Sequence, residues 1–171
     1  AGYHVAPSGN PDAVAIEVLG HVLTDAPAGR LHKALVETKL ASKIEYNSVS
    51  NLEPGYNLFG ALVPVDGNLD AAQAAMLKVL EELKSQPVTD AEVARVKQQL
   101  NKQVELITSN TARMTIALTE SLAAGDWRLF FLQRDQLDKL TTAQVQAAAE
   151  KYLKSSNRTL GRFIPTDAPD R

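Results

Sequence analysis

Three histidines, His4, His21 and His32, are the chain's only imidazoles, and they bound the metal or proton-transfer chemistry it could carry. A catalytic zinc ion normally takes three protein ligands and keeps one position open. Glu17 and His21 stand four residues apart, which places two side chains on one face of a helix. Nothing near them in sequence offers a third ligand, and no His-x-x-Glu-His or His-Glu-x-x-His occurs. A helix pair at the surface accounts for them better. Ser8 precedes Gly9 in a turn, but no Gly-x-Ser-x-Gly surrounds it, so it reads as a turn serine. Gly67 and Gly125 are isolated and form no phosphate-binding pattern. Glu81 and Glu82 read as a solvated helix face. With no cysteine in the chain, disulfides, thiolate ligands and a cysteine nucleophile are excluded. The segment thus offers no catalytic residue and no metal ligand set of its own.

The elements that would have to position such residues can be read from the pattern of apolar and polar positions. The 171 residues suit one domain over 1–171. A domain of this size buries roughly 70% of its unfolded surface. Hydrophobic residues make up 44% and charged residues 22%, and the net charge is −2 with the signs interspersed. No basic stripe marks a nucleic-acid partner. The longest apolar runs, such as Phe59 to Val65, are too short to span a membrane. Ala1 to Pro7 shows neither an initiator methionine nor a signal peptide, and reads as the interior of a longer chain.

A strand is expected over Ala1 to Ala6, then a helix over Asp12 to Leu23 capped by Asn10 or Asp12. A second helix is expected over Arg30 to Lys39, with Leu31, Leu35 and Leu40 inward. Lys43 to Ser50 and Tyr56 to Val65 read as strands joined by the Glu53-Pro54-Gly55 turn, hence an antiparallel pair. The second of these is apolar on both faces, with Phe59, Ala61, Val63 and Val65 against Leu58 and Leu62. That predicts a strand covered on both sides. Asp70 to Lys84 is helical. Thr89-Asp90-Ala91-Glu92 is a capping box that opens a helix carrying Val93, Val96, Leu100, Val104 and Ile107. Further helices follow over Thr111 to Ala124, Arg128 to Leu140 and from Thr141-Thr142. Met114, Ala117, Leu118 and Leu122 face inward on the first of these, and Val145, Ala149, Tyr152 and Leu153 on the last. Thr159 to Ile164 reads as a closing strand, and Asp167 to Arg171 as a frayed polar tail. Strands so scattered must meet in one sheet. The fold class is α+β, a single mostly antiparallel sheet with helices packed on one face.

Several segments together carry a resemblance. They are Tyr3-His4-Val5-Ala6-Pro7 with Asn10-Pro11-Asp12-Ala13; Gly29-Arg30-Leu31-His32-Lys33-Ala34-Leu35-Val36-Glu37 with Leu40-Ala41; and Gln86-Pro87-Val88-Thr89-Asp90-Ala91-Glu92 with Lys97. Gly125-Asp126-Trp127, Leu140-Thr141 with Val145, Lys151-Tyr152-Leu153, and Asn157 through Pro165 complete the set. In order and spacing the chain resembles the second, non-zinc-binding domain type of the insulinase/pitrilysin (inverzincin) metallopeptidases, over nearly its whole length.

The resemblance implies a fragment of a zinc-dependent endopeptidase built from paired homologous domains. One domain type bears His-x-x-Glu-His and a downstream Glu, binds zinc and activates water. The type seen here encloses the substrate chamber, so zinc would belong to the parent's other domain, in the same chain or in a partner chain, and the substrate would be a peptide. Many members supply an Arg and a Tyr near the scissile bond, in a pattern like Leu-Arg-Glu-Lys-Arg-Gly-Leu-Ala-Tyr. Alignment on Leu35 and Leu40-Ala41 puts Val36 at the Arg position and Ser42 at the Tyr position, with one residue fewer between. Val36 cannot donate a hydrogen bond, and Ser42 is too short to match a phenol. The resemblance implies a periplasmic or otherwise exported parent. The alternative is a non-catalytic scaffold or partner subunit homologous to the peptidases.

Overall fold

The computed structural model describes residues 1–164, and the polar tail expected at Asp167 to Arg171 lies outside them. In chain order the elements are β1 (Gly2–Val5), α1 (Ala13–Thr24), a π-helical turn (His32–Val36), β2 (Lys43–Val49), β3 (Gly55–Leu62), α2 (Leu69–Glu81), α3 (Asp90–Thr108), α4 (Thr111–Ala123), α5 (Leu129–Lys139), α6 (Thr142–Tyr152) and β4 (Arg158–Thr159). The strands form one antiparallel sheet in the order β2-β3-β1-β4. The helices pack on one face of it, as the α+β reading expects.

Local sequence explains the helix starts. Thr89 accepts the Glu92 N–H while Glu92 accepts the Thr89 N–H, the reciprocal pair read from the sequence. Thr141 and Gln144 repeat it at α6. Asn68 and Asn110 cap α2 and α4 through their side-chain oxygens. At α1 the expected cap differs. Asp12 occupies the N-cap position without a side-chain cap bond, because its carboxylate is held by Lys151 Nζ and the Tyr152 hydroxyl. The helix expected over Arg30 to Lys39 winds wider than an α-helix at His32–Val36, where the Glu37 N–H reaches back five residues to the His32 carbonyl. It buries Leu31 and Leu35 as expected, while Leu40 is only half-buried.

The core lies between the sheet and the helices. Tyr3 and Phe59 point inward from β1 and β3, their rings edge to face at 6.1 Å. Above them lies α1, which packs on α3, α6 and β2 and is therefore apolar nearly all round, with Val14, Val18, Leu19, Val22 and Leu23 buried. Met76 and Leu80 of α2, Val96 and Leu100 of α3 and Val145 of α6 close the cluster.

Three expectations need correction. β3 is not covered on both faces: Tyr56, Leu58 and Leu62 stay 44–45% exposed, because every helix of the described residues lies on the Phe59 side. The closing strand is only Arg158–Thr159, not Thr159 to Ile164. The β1–β4 pairing ends at Gly2 opposite Thr159, and Leu160 to Ile164 continue without a ladder partner among the described residues. Finally, α4 buries none of its residues, and Leu122 is 60% exposed although its spacing suggested an inward position. It lies outside the main core, against α3 and α5.

Candidate functional site

The connection from the π-helical turn to β2 carries the two positions that sequence alignment placed nearest a substrate. Val36 is half-buried, and its carbonyl accepts the Lys39 N–H at 3.0 Å. Lys39 stands at φ 62°, the only non-glycine residue with positive φ among the described residues. A side chain in that left-handed region costs of order 1 kcal/mol. Ser42 is exposed, yet its hydroxyl is already engaged. Both its N–H (2.8 Å) and its Oγ–H (3.0 Å) donate to the Leu62 carbonyl, closing the end of the β2–β3 ladder. No charged group of this connection is positioned by Val36 or Ser42.

Glu17, His21 and Asp25 descend one side of α1. His21 Nδ1 lies 2.9 Å from Asp25 Oδ1, and Arg95 Nη1 of α3 stands 3.7 Å from Asp25 Oδ2. Beneath them is Tyr46 of β2, stacked on Phe59 at 5.2 Å with its hydroxyl buried and without a hydrogen-bond partner. Burial, aided by the nearby Glu17 and Asp25 carboxylates, pushes the phenol up to about 12. Among the described residues no three His, Asp or Glu side chains converge as a metal site. Since His21 is turned toward Asp25, the Glu17–His21 pair does not fit a zinc ion.

Two carboxylates serve as tie points. Glu92 accepts both nitrogens of the Arg30 fork at 2.7 Å together with the Thr89 N–H and hydroxyl, while Arg30 also donates to the Gln86 and Pro87 carbonyls. Burial raises the carboxyl, but Arg30 and Thr89 outweigh it and hold it down to about 2. Glu81, read from sequence as solvated, instead accepts from the Tyr3 hydroxyl and from Arg158 and is half-buried. It joins the first strand, α2 and the last strand. Residues some 80 positions away in both directions make that site, so no local spacing announces it. Glu82 is exposed, as expected.

What remains is surface shape. The outer face of the sheet is open and apolar at Tyr56, Leu58 and Leu62. Beside it runs a groove of about 1080 Å³, walled by Ala61 to Val65 on one side, Leu160 to Ile164 on the other and Ala72 and Met76 of α2 at its floor. Among the described residues no helix is long and apolar enough to cross a membrane.

Residues 1–100 match the family described as the peptidase M16 inactive domain. A candidate zinc protease of Bordetella pertussis Tohama I is 39% identical with a TM-score of 0.90, over 96% of this chain and 91% of that one. The inactive peptidase domain of a candidate zinc protease of Bordetella parapertussis is also 39% identical, with a TM-score of 0.91, over 99% and 91%. A protease of Helicobacter pylori shares the fold at 22% identity and a TM-score of 0.83. There 91% of this chain spans 38% of the other. No curated protein sequence matches the chain.

Proposed function

Since the chain belongs to the peptidase M16 inactive-domain family, we propose that it is the chamber-forming, substrate-enclosing domain of a zinc-dependent metalloendopeptidase. The zinc would be held by a homologous companion domain, in the same chain or a partner chain. The carrying observation is the open sheet face, where Tyr56, Leu58 and Leu62 leave a strand surface uncovered by any helix of the described residues. A contiguous apolar face of that kind marks a surface to be covered by another body. The length of the Helicobacter pylori protease, of which this chain spans little more than a third, supports a companion of comparable size.

In this role the domain contributes enclosure instead of a reacting group. Shutting a peptide away from water and fixing its approach can be worth orders of magnitude in rate. The peptide would run past Val36 and Ser42, which supply packing and a carbonyl-bound hydroxyl but no charge-assisted contact. That same lack favours a second reading, a scaffold or partner subunit that pairs with a companion without serving hydrolysis.

One experiment addresses both readings. The chain is mixed with the zinc-binding companion from its parent protein, and complex formation and peptide hydrolysis are measured for wild type and Leu58→Glu. A charge buried in the interface should weaken pairing at least about tenfold, with hydrolysis falling in step. Hydrolysis by the companion that is indifferent to this chain, despite pairing, supports the scaffold. Absence of pairing sinks both readings.

A further inference from the structure

The groove has the shape of a missing strand. In the β1–β3 ladder each residue faces the one whose number sums with its own to sixty, from Val5 opposite Gly55 to Gly2 opposite Leu58. The ladder continues one step further, because Ala1 and Phe59 exchange both main-chain bonds, at 2.8 and 2.9 Å. β3 runs on through Gly60, Ala61 and Leu62, paired there with β2 alone. Main-chain groups alternate sides along a strand. Phe59 points toward β1 and Leu62 toward β2, where its carbonyl takes Ser42. The N–H and C=O of Ala61 therefore point into the groove. On the opposite wall β4 meets β1 at Thr159 opposite Gly2, and Leu160 to Ile164 continue along the groove with nothing of β1 beside them.

The side chains around this slot fit an interior strand and not an edge. Val65 is 95% exposed, Phe163 90% and Ile164 68%, all three on its rim. Ala72 and Met76 of α2 form the floor, and the Gln73 side-chain oxygen is buried at the wall without a hydrogen-bond partner among the described residues. A long apolar edge with free main-chain groups is a pairing template that folded proteins normally cover.

We propose that the groove is the seat of an upstream continuation of β1: an extended segment joined directly to Ala1, hydrogen-bonded on one side to β3 at Ala61 and on the other to Gly161 and Phe163. The register fixes its chemistry. The first residue upstream lies between Gly60 and Gly161 and faces outward beside Gly2. The second lies between Ala61 and Arg162, follows the inward direction of Tyr3 and Ala1, and is apolar because it rests on Ala72 and Met76. The third faces outward between Leu62 and Phe163. With this segment in place β4 extends through Gly161 to Phe163. The inference stands on the sheet alone and is independent of the proposed peptidase role.

The test is to extend this chain at its N-terminus. One version carries Val-Thr-Val-Thr ahead of Ala1, so that both valines face inward. A second carries Val-Thr-Pro-Thr, which keeps the length but removes the N–H aimed at the Ala61 carbonyl. Amide exchange at Ala61, Gly161 and Phe163 is compared with that of the unextended chain, alongside thermal unfolding. Exchange at these amides should slow at least about tenfold with the valine version, the melting temperature should rise, and the proline version should lose most of both. The proposal is overturned if these amides exchange alike in all three chains, or if the proline version protects as well. It is also overturned if the unextended chain already protects them in a manner abolished by deleting residues 165–171 or by dilution. Those two outcomes would assign the groove to the chain's own tail or to a second copy.

Discussion

Replacing Glu92 by Gln tests whether the Arg30–Glu92–Thr89 junction holds α3 against the turn that follows α1. The carboxylate accepts the Arg30 fork at 2.7 Å twice and the Thr89 N–H at 2.9 Å, and its side chain is only 22% exposed. Gln has one acceptor oxygen for these donors, and its NH₂ group meets the Arg30 fork donor to donor. Held down to about 2 against an ordinary 4.5, the carboxyl favours the fold by its charged form. A difference of that size corresponds to about 3 kcal/mol at one unit per 1.36 kcal/mol, taken as a ceiling. Because the folded value is depressed, this stability is fully present above pH 4.5 and is lost as pH falls through about 2. Urea unfolding of wild type and Glu92→Gln between pH 7 and pH 2.5 reads it directly. The two should differ by about 2–3 kcal/mol at pH 7 and converge toward the acid end. Two stability curves running parallel over the whole range would refute the reasoning, since the loss would then be one of shape and not of charge.

Gly20→Ala should destabilise the chain by about 2 kcal/mol, because a Cβ there would collide with the Tyr46 hydroxyl and ring. Urea unfolding should show part of that loss recovered in the double variant with Tyr46→Leu. Lys39→Gly should raise stability by about 1 kcal/mol by relieving the left-handed residue at φ 62°, with an unchanged circular dichroism spectrum. In a spectrophotometric titration of the four tyrosines, the component lost in Tyr46→Phe should be one that ionises near pH 12, as its burial requires. A component lost near pH 10 would mean that the ring is not held under α1.

What was legible in the sequence was what is decided within a few residues. The Thr89–Glu92 box needs only a three-residue span, and the Phe59 alternation needs only the pleat of one strand, so both stood in the chain as written. The apolar character of Leu58 and Leu62 was equally plain. Whether anything covers them depends on where helices a hundred residues away come to lie, and there the inference of two covered faces failed. Glu81 shows the same limit, since its partners Tyr3 and Arg158 are 78 and 77 residues distant and neither side of it carries a marking pattern. The short β4 was missed because the length of a strand is decided by its pairing partner, which lies more than 150 residues away in sequence. Val36 and Ser42 came from resemblance alone, and no feature of their surroundings would have singled them out.

The strand order has a consequence for synthesis. β1 leaves the ribosome before the other elements described here, yet it occupies an inner position of the sheet, and one of its neighbours, β4, lies more than 150 residues downstream. Pairing across such a separation carries a loop-closure penalty and is slow. Until Arg158 emerges, one side of β1 is a bare edge and Glu81 lacks the cation that meets it beside Tyr3. A nascent or truncated chain ending in α6 would therefore hold most of its helices and a raw sheet margin together, the combination that invites pairing with neighbouring chains. The last strand, two residues long, acts as the closing latch of this sheet.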